Sequence, residues 1–358
     1  MRSPDVQQLG MFAQVSIEDR VPKDHPIRPL RELVDQLLRD LDPVFEARYS
    51  KIGRPSIPPE RLLRASLLQV VYSVRSERLL MEQLDYNLLF RWFVGLNIDD
   101  AVWDHSTFSF NRDRLFDDEI AQRFFDSTVL HAEVKGMISS EHFSVDGTLL
   151  EAWASHKSFR PKDGDGGGDG GDFRGQRRCN DTHESTSDPD ARLARKGAGK
   201  ESKLSYQGVA LMENRNGLAV GTGVQIATGT SEREGALELI DEMQLGHGCS
   251  VGADKGFDCE SFVAELVKRK IKPHVARMTK GRRSAVPAKV ARTKGYAQSQ
   301  VVRKRIESIF GWVKVVGGLR KLKLTNLATV RGHVAWVFAA YNLIRIGGLE
   351  GWWSPAPT

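Results

Sequence analysis

HFSVDG, residues 142–147, is where the chain changes character. Phe143 and Val145 alternate with Ser144 and Asp146, the period-two pattern of a half-buried strand, and Gly147 closes it. On this reading Asp146 stands at the carboxyl end of the strand, opposite the Phe143/Val145 face. Nothing before residue 140 carries a strand signal. An amphipathic helix is expected over 30–41, with Leu30, Leu33, Val34, Leu37, Leu38 and Leu41 on one side. A basic, helix-breaking linker follows at 51–55, and Ser56 is placed to cap a helix running to about residue 73. Further helices are expected over 76–93, 107–115 and 118–134. Short helices on tight turns suit a helix-turn-helix DNA binder or any small bundle, and no basic recognition helix stands out.

After residue 147 the pattern is mixed. Residues 159–203 include DGDGGGDGGDFRG and many Ser, Thr, Asp and Arg, a composition unable to bury a core and expected to form a mobile loop. Strands are expected at 204–212 and 218–227, joined by a turn at 213–217. Ser231-x-x-Glu234 reads as a capping box opening a helix to about residue 243. A buried strand at 249–254, a helix over 259–270, a short strand at 272–276 and a basic loop at 277–293 lead to a helix over 297–315. An apolar helix is expected over 333–346. Three strands in succession, then alternating helix and strand, describe a mixed sheet with helices on its faces. The ribonuclease H-like fold has this order. The expected organisation is a segment and linker over 1–55, a helical DNA-binding or oligomerisation domain over 56–135 and a ribonuclease H-like α/β catalytic domain over 140–347. A flexible insertion at about 159–203 interrupts the last, and a tail covers 348–358.

Composition narrows the function. The 40% hydrophobic and 27% charged fractions are ordinary for a globular chain. Cys179, Cys249 and Cys259 form no Cys-x-x-Cys pair, which argues against a structural zinc site or a disulfide framework and fits a reducing compartment. No apolar run reaches the roughly 18 residues of a membrane span, and the N-terminus lacks a signal-peptide core. A cytosolic protein is expected, with no membrane partner. The net charge of +6 hides a strong asymmetry: residues 268–323 hold eighteen Lys and Arg and one acid, Glu307, so the remainder is net negative. A concentrated basic segment ordinarily tracks a polyanion, here nucleic acid.

Within that segment, residues 297–315 read AQSQVVRKRIESIFGWVKV. Val302, Ile306, Ile309 and Val313 repeat at the spacing of one buried helical stripe, and Arg303, Glu307 and Lys314 share a neighbouring face. A lone glutamate on a helix is ordinarily a solvated surface residue. Two other acids change that weighing: Asp146, and Asp254 at the end of the fourth strand, before a turn that Gly256 permits. In open α/β sheets, sites gather at the carboxyl ends of strands. Three carboxylates with no histidine or thiol beside them suit Mg²⁺ or Mn²⁺. Two such ions roughly 3.5–4 Å apart can activate a hydroxyl and stabilise the leaving oxygen of a phosphodiester. No G-x-S-x-G elbow, Walker-type loop or H-E-x-x-H is present. Gly221-Thr222-Gly223 lies within a strand, the histidines are scattered, and Trp153, able in principle to stack on a base, is more readily a core residue.

At these residues the chain resembles the DDE transposases of bacterial insertion sequences, in particular the insertion-sequence-five group, over nearly its whole length. GRPSIPPERLLRASLLQVVYSVRSERLLMEQLDYNLLFRWFVGL (53–96) is similar to that group's helical N-terminal domain. FSVDGTLLEAWASHKSFRPKDG (143–164) and ADKGFD (253–258) match the surroundings of its first and second catalytic aspartates. Its signature places a tyrosine, an arginine, the glutamate and a lysine at fixed spacing. Arg303, Glu307 and Lys314 fill the last three places, while Gln300 departs from the pattern at the first. The resemblance implies Asp146, Asp254 and Glu307 as the metal-binding catalytic triad, and Arg303 and Lys314 as contacts to transposon-end DNA. It further implies double-stranded DNA partners, both transposon ends and target, and a homo-oligomer assembled on DNA. A transposase-derived DNA-binding protein without turnover and a plain metal-dependent nuclease are the alternatives.

Overall fold

A computed structural model describes residues 16–49, 52, 56–115, 118–162, 178–197, 199–279 and 283–353. The expected linker at 51–55 (apart from Ile52), the glycine-rich run at 163–175 and the end of the tail lie outside the described residues.

The described part of the N-terminal region is helical: α1 (Ile17–Arg20), α2 (Ile27–Arg39), α3 (Asp42–Arg48), α4 (Pro59–Val71), α5 (Glu77–Tyr86), α6 (Leu88–Val94), α7 (His105–Leu115) and α8 (Asp118–Val134). α2 buries Ile27, Leu30, Leu33, Val34, Leu37 and Leu38, the single stripe its spacing predicts. α4 starts at Pro59, and Ser56 caps nothing. Pro58 precedes a proline and is held extended, with ψ 131°, so the helix cannot begin earlier. The helix expected over 76–93 is two. Asn87 interrupts it at φ −87°, ψ 104°, and its side-chain oxygen accepts the N–H groups of Leu89 and Phe90. That makes Asn87 the N-cap of a new helix, the role for which a short amide side chain is preferred.

The mixed sheet begins with β1 (His142–Glu151) and continues through β2 (Phe159–Pro161), β3 (His183–Ser185), β4 (Arg192–Ala194), β5 (Lys203–Glu213) and β6 (Ala219–Ile226). After β6 come α9 (Ser231–Glu242), β7 (Ser250–Ala253), α10 (Glu260–Lys268) and β8 (Lys272–Val275). Then follow α11 (Ala288–Ala291), α12 (Lys294–Val302), α13 (Arg305–Val315) and α14 (Leu327–Leu349). The strand order is β6-β5-β1-β7-β8, with β4 beside β6 on the outer side of β5. β5 runs antiparallel to both β6 and β1, whereas β1, β7 and β8 are parallel. This is the ribonuclease H-like topology. α14 packs along both α8 and β6, so one helix joins the helical region to the sheet, and Phe124 and Trp336 meet there with ring centroids 4.6 Å apart.

Three further expectations change. β1 does not end at Gly147: it pairs with β5 along its length, from Phe143↔Glu213 to Glu151↔Ser205. With β7 it pairs only over His142–Ser144. Asp146 is therefore mid-strand toward β5 but past the last pair toward β7, at the mouth of the crevice where β7 stops. The helix expected over 297–315 is broken at Arg303–Lys304. There Ile306 N–H bonds Arg303 O and Glu307 N–H bonds Lys304 O, the tighter i to i+3 pattern of a 3₁₀ turn. Ile306, Ile309 and Val313 are buried as expected and Val302 only partly. Finally, the described part of 159–203 is anchored. Asp188 is fully buried, accepting the Tyr206 hydroxyl at 2.5 Å and the Asn326 N–H at 3.3 Å, and Asp190 accepts the first N–H of α14, from Leu327. Helix N-termini favour such anionic acceptors.

Candidate active site

Asp146, Asp254 and Glu307 reach one cleft of about 920 Å³ from three separate elements. Asp146 comes from β1, with its Oδ1 accepting the Gly147 N–H at 2.9 Å. Burial, followed by the charges of Asp254, Glu232 and Glu307, pushes its carboxyl up to about 7. Asp254 follows β7 directly and caps a 3₁₀ turn over Lys255–Phe257, accepting the Gly256 N–H at 2.7 Å. Gly256 keeps a negative φ, so it supplies room here: a Cβ would stand 3.0 Å from Asp254 Oδ1. Glu307 lies exposed in the first turn of α13.

The two signature cations part company. Lys314 lines the cleft, and its ammonium donates to Thr148 Oγ1 at 2.5 Å and Leu149 O at 2.9 Å, tying α13 to β1 beyond Asp146. Burial draws its pKa down. Arg303 does not line the cleft. Its Nε donates to Gln300 Oε1 at 3.1 Å, and Gln300 Nε2 donates to His274 O at 2.7 Å. Gln300, where the family signature has tyrosine, thus bridges Arg303 to β8.

Four charged lining residues escaped the sequence reading. Glu232, at the start of α9, faces the acids, and Arg195, Lys196 and Arg320 line the same cleft. Glu232 was hidden by the expected capping box, which does not form. Thr230 is the N-cap, and Ser231 instead exchanges hydrogen bonds with Thr228: its Oγ accepts the Thr228 N–H at 3.0 Å, and Thr228 Oγ1 accepts the Ser231 N–H at 2.9 Å. Arg195 and Lys196 follow β4 in the stretch expected to be a loop, and both are exposed, as is Arg320. A composition that reads as loop still allows a basic wall once Asp188 is anchored.

Among the described residues neither histidine nor cysteine lines the cleft, so the donor set is oxygen only. That set fits a hard divalent cation. Among the described residues no three His, Cys, Asp or Glu side chains stand close enough to hold an ion. The carboxylates repel one another across the cleft, with Arg195, Lys196, Lys314 and Arg320 on its walls.

The sheet order and connections place the chain in the ribonuclease H-like class, with this acid-lined crevice at the end of β7. The transposase DDE domain family matches residues 139–343, more than half the chain, and the family described as Transposase domain (DUF772) matches residues 15–114. The chain belongs to the DDE transposases. Curated proteins yield no match. Among solved structures it is similar to the piggyBac transposase synaptic complex with hairpin DNA, at 11% identity and TM-score 0.43, over 92% of this chain and 76% of that one. It is also similar to a pre-cleavage Mos1 transpososome, at 10% identity and TM-score 0.21, over 83% and 82%. A mariner Mos1 paired end complex with Mg is similar at 10% identity and TM-score 0.20, over 92% and 99%. Among the described residues no helix is long and apolar enough to cross a membrane.

Proposed function

We propose that this transposase, of the insertion-sequence-five group, binds the terminal inverted repeats of its element, cuts at their boundary and joins the freed 3′-hydroxyl to target DNA. The observation that carries this is the convergence of Asp146, Asp254 and Glu307, from β1, the end of β7 and α13, on one cleft. These three would hold Mg²⁺ or Mn²⁺, two ions, which would supply activation of the attacking hydroxyl and stabilisation of the leaving oxygen. The chain's own part is positioning. Arg195, Lys196 and Arg320 hold backbone phosphates along the wall of the cleft. Lys314 locks α13, and Glu307 with it, onto β1. Arg303 meets DNA arriving over the α12–α13 turn, outside the cleft. Two ends held together require a homo-oligomer on DNA.

The test is cleavage of a labelled duplex carrying the element end, in Mg²⁺. Glu307→Gln should cut about 100-fold more slowly or worse, because each tenfold is only about 1.4 kcal/mol of lost transition-state stabilisation. A variant that cuts at the parent's rate removes Glu307 from the site. Appearance of joined product separates a transposase from a nuclease. The basic wall makes its own prediction. Replacing Arg195, Lys196 and Arg320 together by alanine should weaken end binding and flatten the slope of log affinity against log salt by about 2–3, at about 0.9 per phosphate contact. An unchanged slope, read by fluorescence anisotropy, means the wall faces no phosphate.

A further inference from the structure

Glu232 is not among the residues the DDE signature marks. It belongs to the same cleft as the three acids that are. α9 packs across β1 and β5, and its first turn delivers Glu232 to the backbone of β1 immediately after Asp146. The fit there is close. A Cβ on Gly147 would lie 2.6 Å from Glu232 Cγ and 2.6 Å from Gln207 Nε2, and nearer still to the Glu232 carboxylate itself. Real Cβ atoms do not approach non-bonded atoms so closely, so only glycine at 147 lets this carboxylate lie against the strand. Gly147 has an ordinary backbone conformation, without positive φ, so close approach is the reason for it here.

The charges that act on Glu232 are Asp254, which repels it, and Arg233, which attracts it. Among the described residues Glu232 has no ion-pair partner, and Arg233, its neighbour on α9, turns its guanidinium to Gly229 O at 3.3 Å and Gly256 O at 3.5 Å. Glu232 is half-buried, and a half-buried carboxylate facing other carboxylates is destabilising unless a cation arrives. An acid with only a structural duty would gain by being glutamine, which keeps the shape without the charge.

We infer that Glu232 is a fourth carboxylate donor for the divalent ions of this site, alongside Asp146, Asp254 and Glu307. The inference rests on the triad reading, and the experiment separates the two.

The measurement is Mn²⁺ binding to the full-length protein by titration calorimetry, without DNA, for the parent, Glu232→Gln, Glu232→Asp and Asp254→Asn. Glu232→Gln should weaken Mn²⁺ binding about 10-fold or more, in the range seen when groups supporting a metal site are removed. It should also raise the melting temperature of the metal-free protein, because a repulsive charge has gone. Asp254→Asn should weaken binding as well. If Asp254→Asn loses Mn²⁺ and Glu232→Gln binds like the parent, Glu232 is structural and the inference falls while the triad stands. If neither substitution changes Mn²⁺ binding, the triad reading fails and takes this one with it. Should Glu232→Gln not fold, Glu232→Asp decides: one methylene shorter, it should bind Mn²⁺ more weakly, and parent-like affinity overturns the proposal.

Discussion

Asp146→Asn should abolish cleavage and joining, by about 10³-fold or more, and at the same time make the metal-free protein more stable. The first effect follows from the place of Asp146. It is the acid nearest the junction of β1 and β7, and its neighbours Asp254, Glu232 and Glu307 all act on it. On the proposed function, losing an oxygen donor there would cost several kcal/mol of transition-state stabilisation, at about 1.4 kcal/mol per tenfold in rate. The second effect is linkage. The Asp146 carboxyl is pushed from 3.8 in the unfolded chain to about 7 when folded, chiefly by burial. Between those values the folded protein holds a proton that the unfolded chain has released. Stability therefore falls as pH rises from about 4 to 7, and the full penalty, on the order of 4 kcal/mol, is present above 7. Asparagine carries no such penalty. Metal-free melts should show the variant above the parent at pH 8 and level with it near pH 4, and equal melting temperatures at pH 8 would contradict this. If Asp146 holds the ion as proposed, the ion must displace that proton, and the parent's Mg²⁺ affinity should also climb with pH up to about 7 and then level.

Much of this was legible in the sequence because strand period and Gly/Asp punctuation are local signals. The Phe143/Val145 alternation, the long β5 and the short buried β7 carry the sheet order, and that order carries Asp146 and Asp254. What was illegible depended on partners far along the chain. The break at Arg303–Lys304 is invisible because Ile306, Ile309 and Val313 keep helical phase on their own side of it. The anchoring of β4 depends on Asp188 meeting Tyr206 and Asn326, 138 residues away in the second case. Arg195 and Lys196 reach the cleft only through that anchor. Glu232 was masked by a local rule that lost to a competing one: Ser231 and Glu234 have capping-box spacing, yet Thr228 takes the serine. The one available signal was Gly147, a glycine inside what proved to be a strand, which marks a close approach by something.

Arg91→Met should cost about 3–5 kcal/mol of stability, the range for breaking a buried, hydrogen-bonded charge. Arg91 sits in the apolar run LLFRWFVGL, where the amphipathic reading of that helix gave it no special place. It is 2% exposed. Its guanidinium donates to Leu84 O at 2.9 Å, Asp85 O at 3.4 Å, Ile98 O at 3.2 Å and Asp100 O at 2.6 Å, and twice to Asn97 O. One planar fork thus satisfies the carbonyls that end α5 and those of the loop after α6. Methionine fills the space and leaves those carbonyls buried without donors, each costing about 1–3 kcal/mol before relaxation. Urea unfolding should show a lower midpoint at an unchanged slope, and a loss under about 1 kcal/mol would mean water replaces the guanidinium. The comparison with Asp146 gives the result its meaning. Arg91 is fully buried and Asp146 half-buried, and they differ in what surrounds them. Arg91 has its donors matched by backbone acceptors, so its removal should hurt folding and leave Mn²⁺ affinity alone wherever the protein is folded. Asp146 meets other carboxylates and one N–H, so its removal should help folding and end catalysis. If both substitutions moved stability the same way, a carboxyl crowded by other carboxylates could no longer be taken as the mark of the proposed active site.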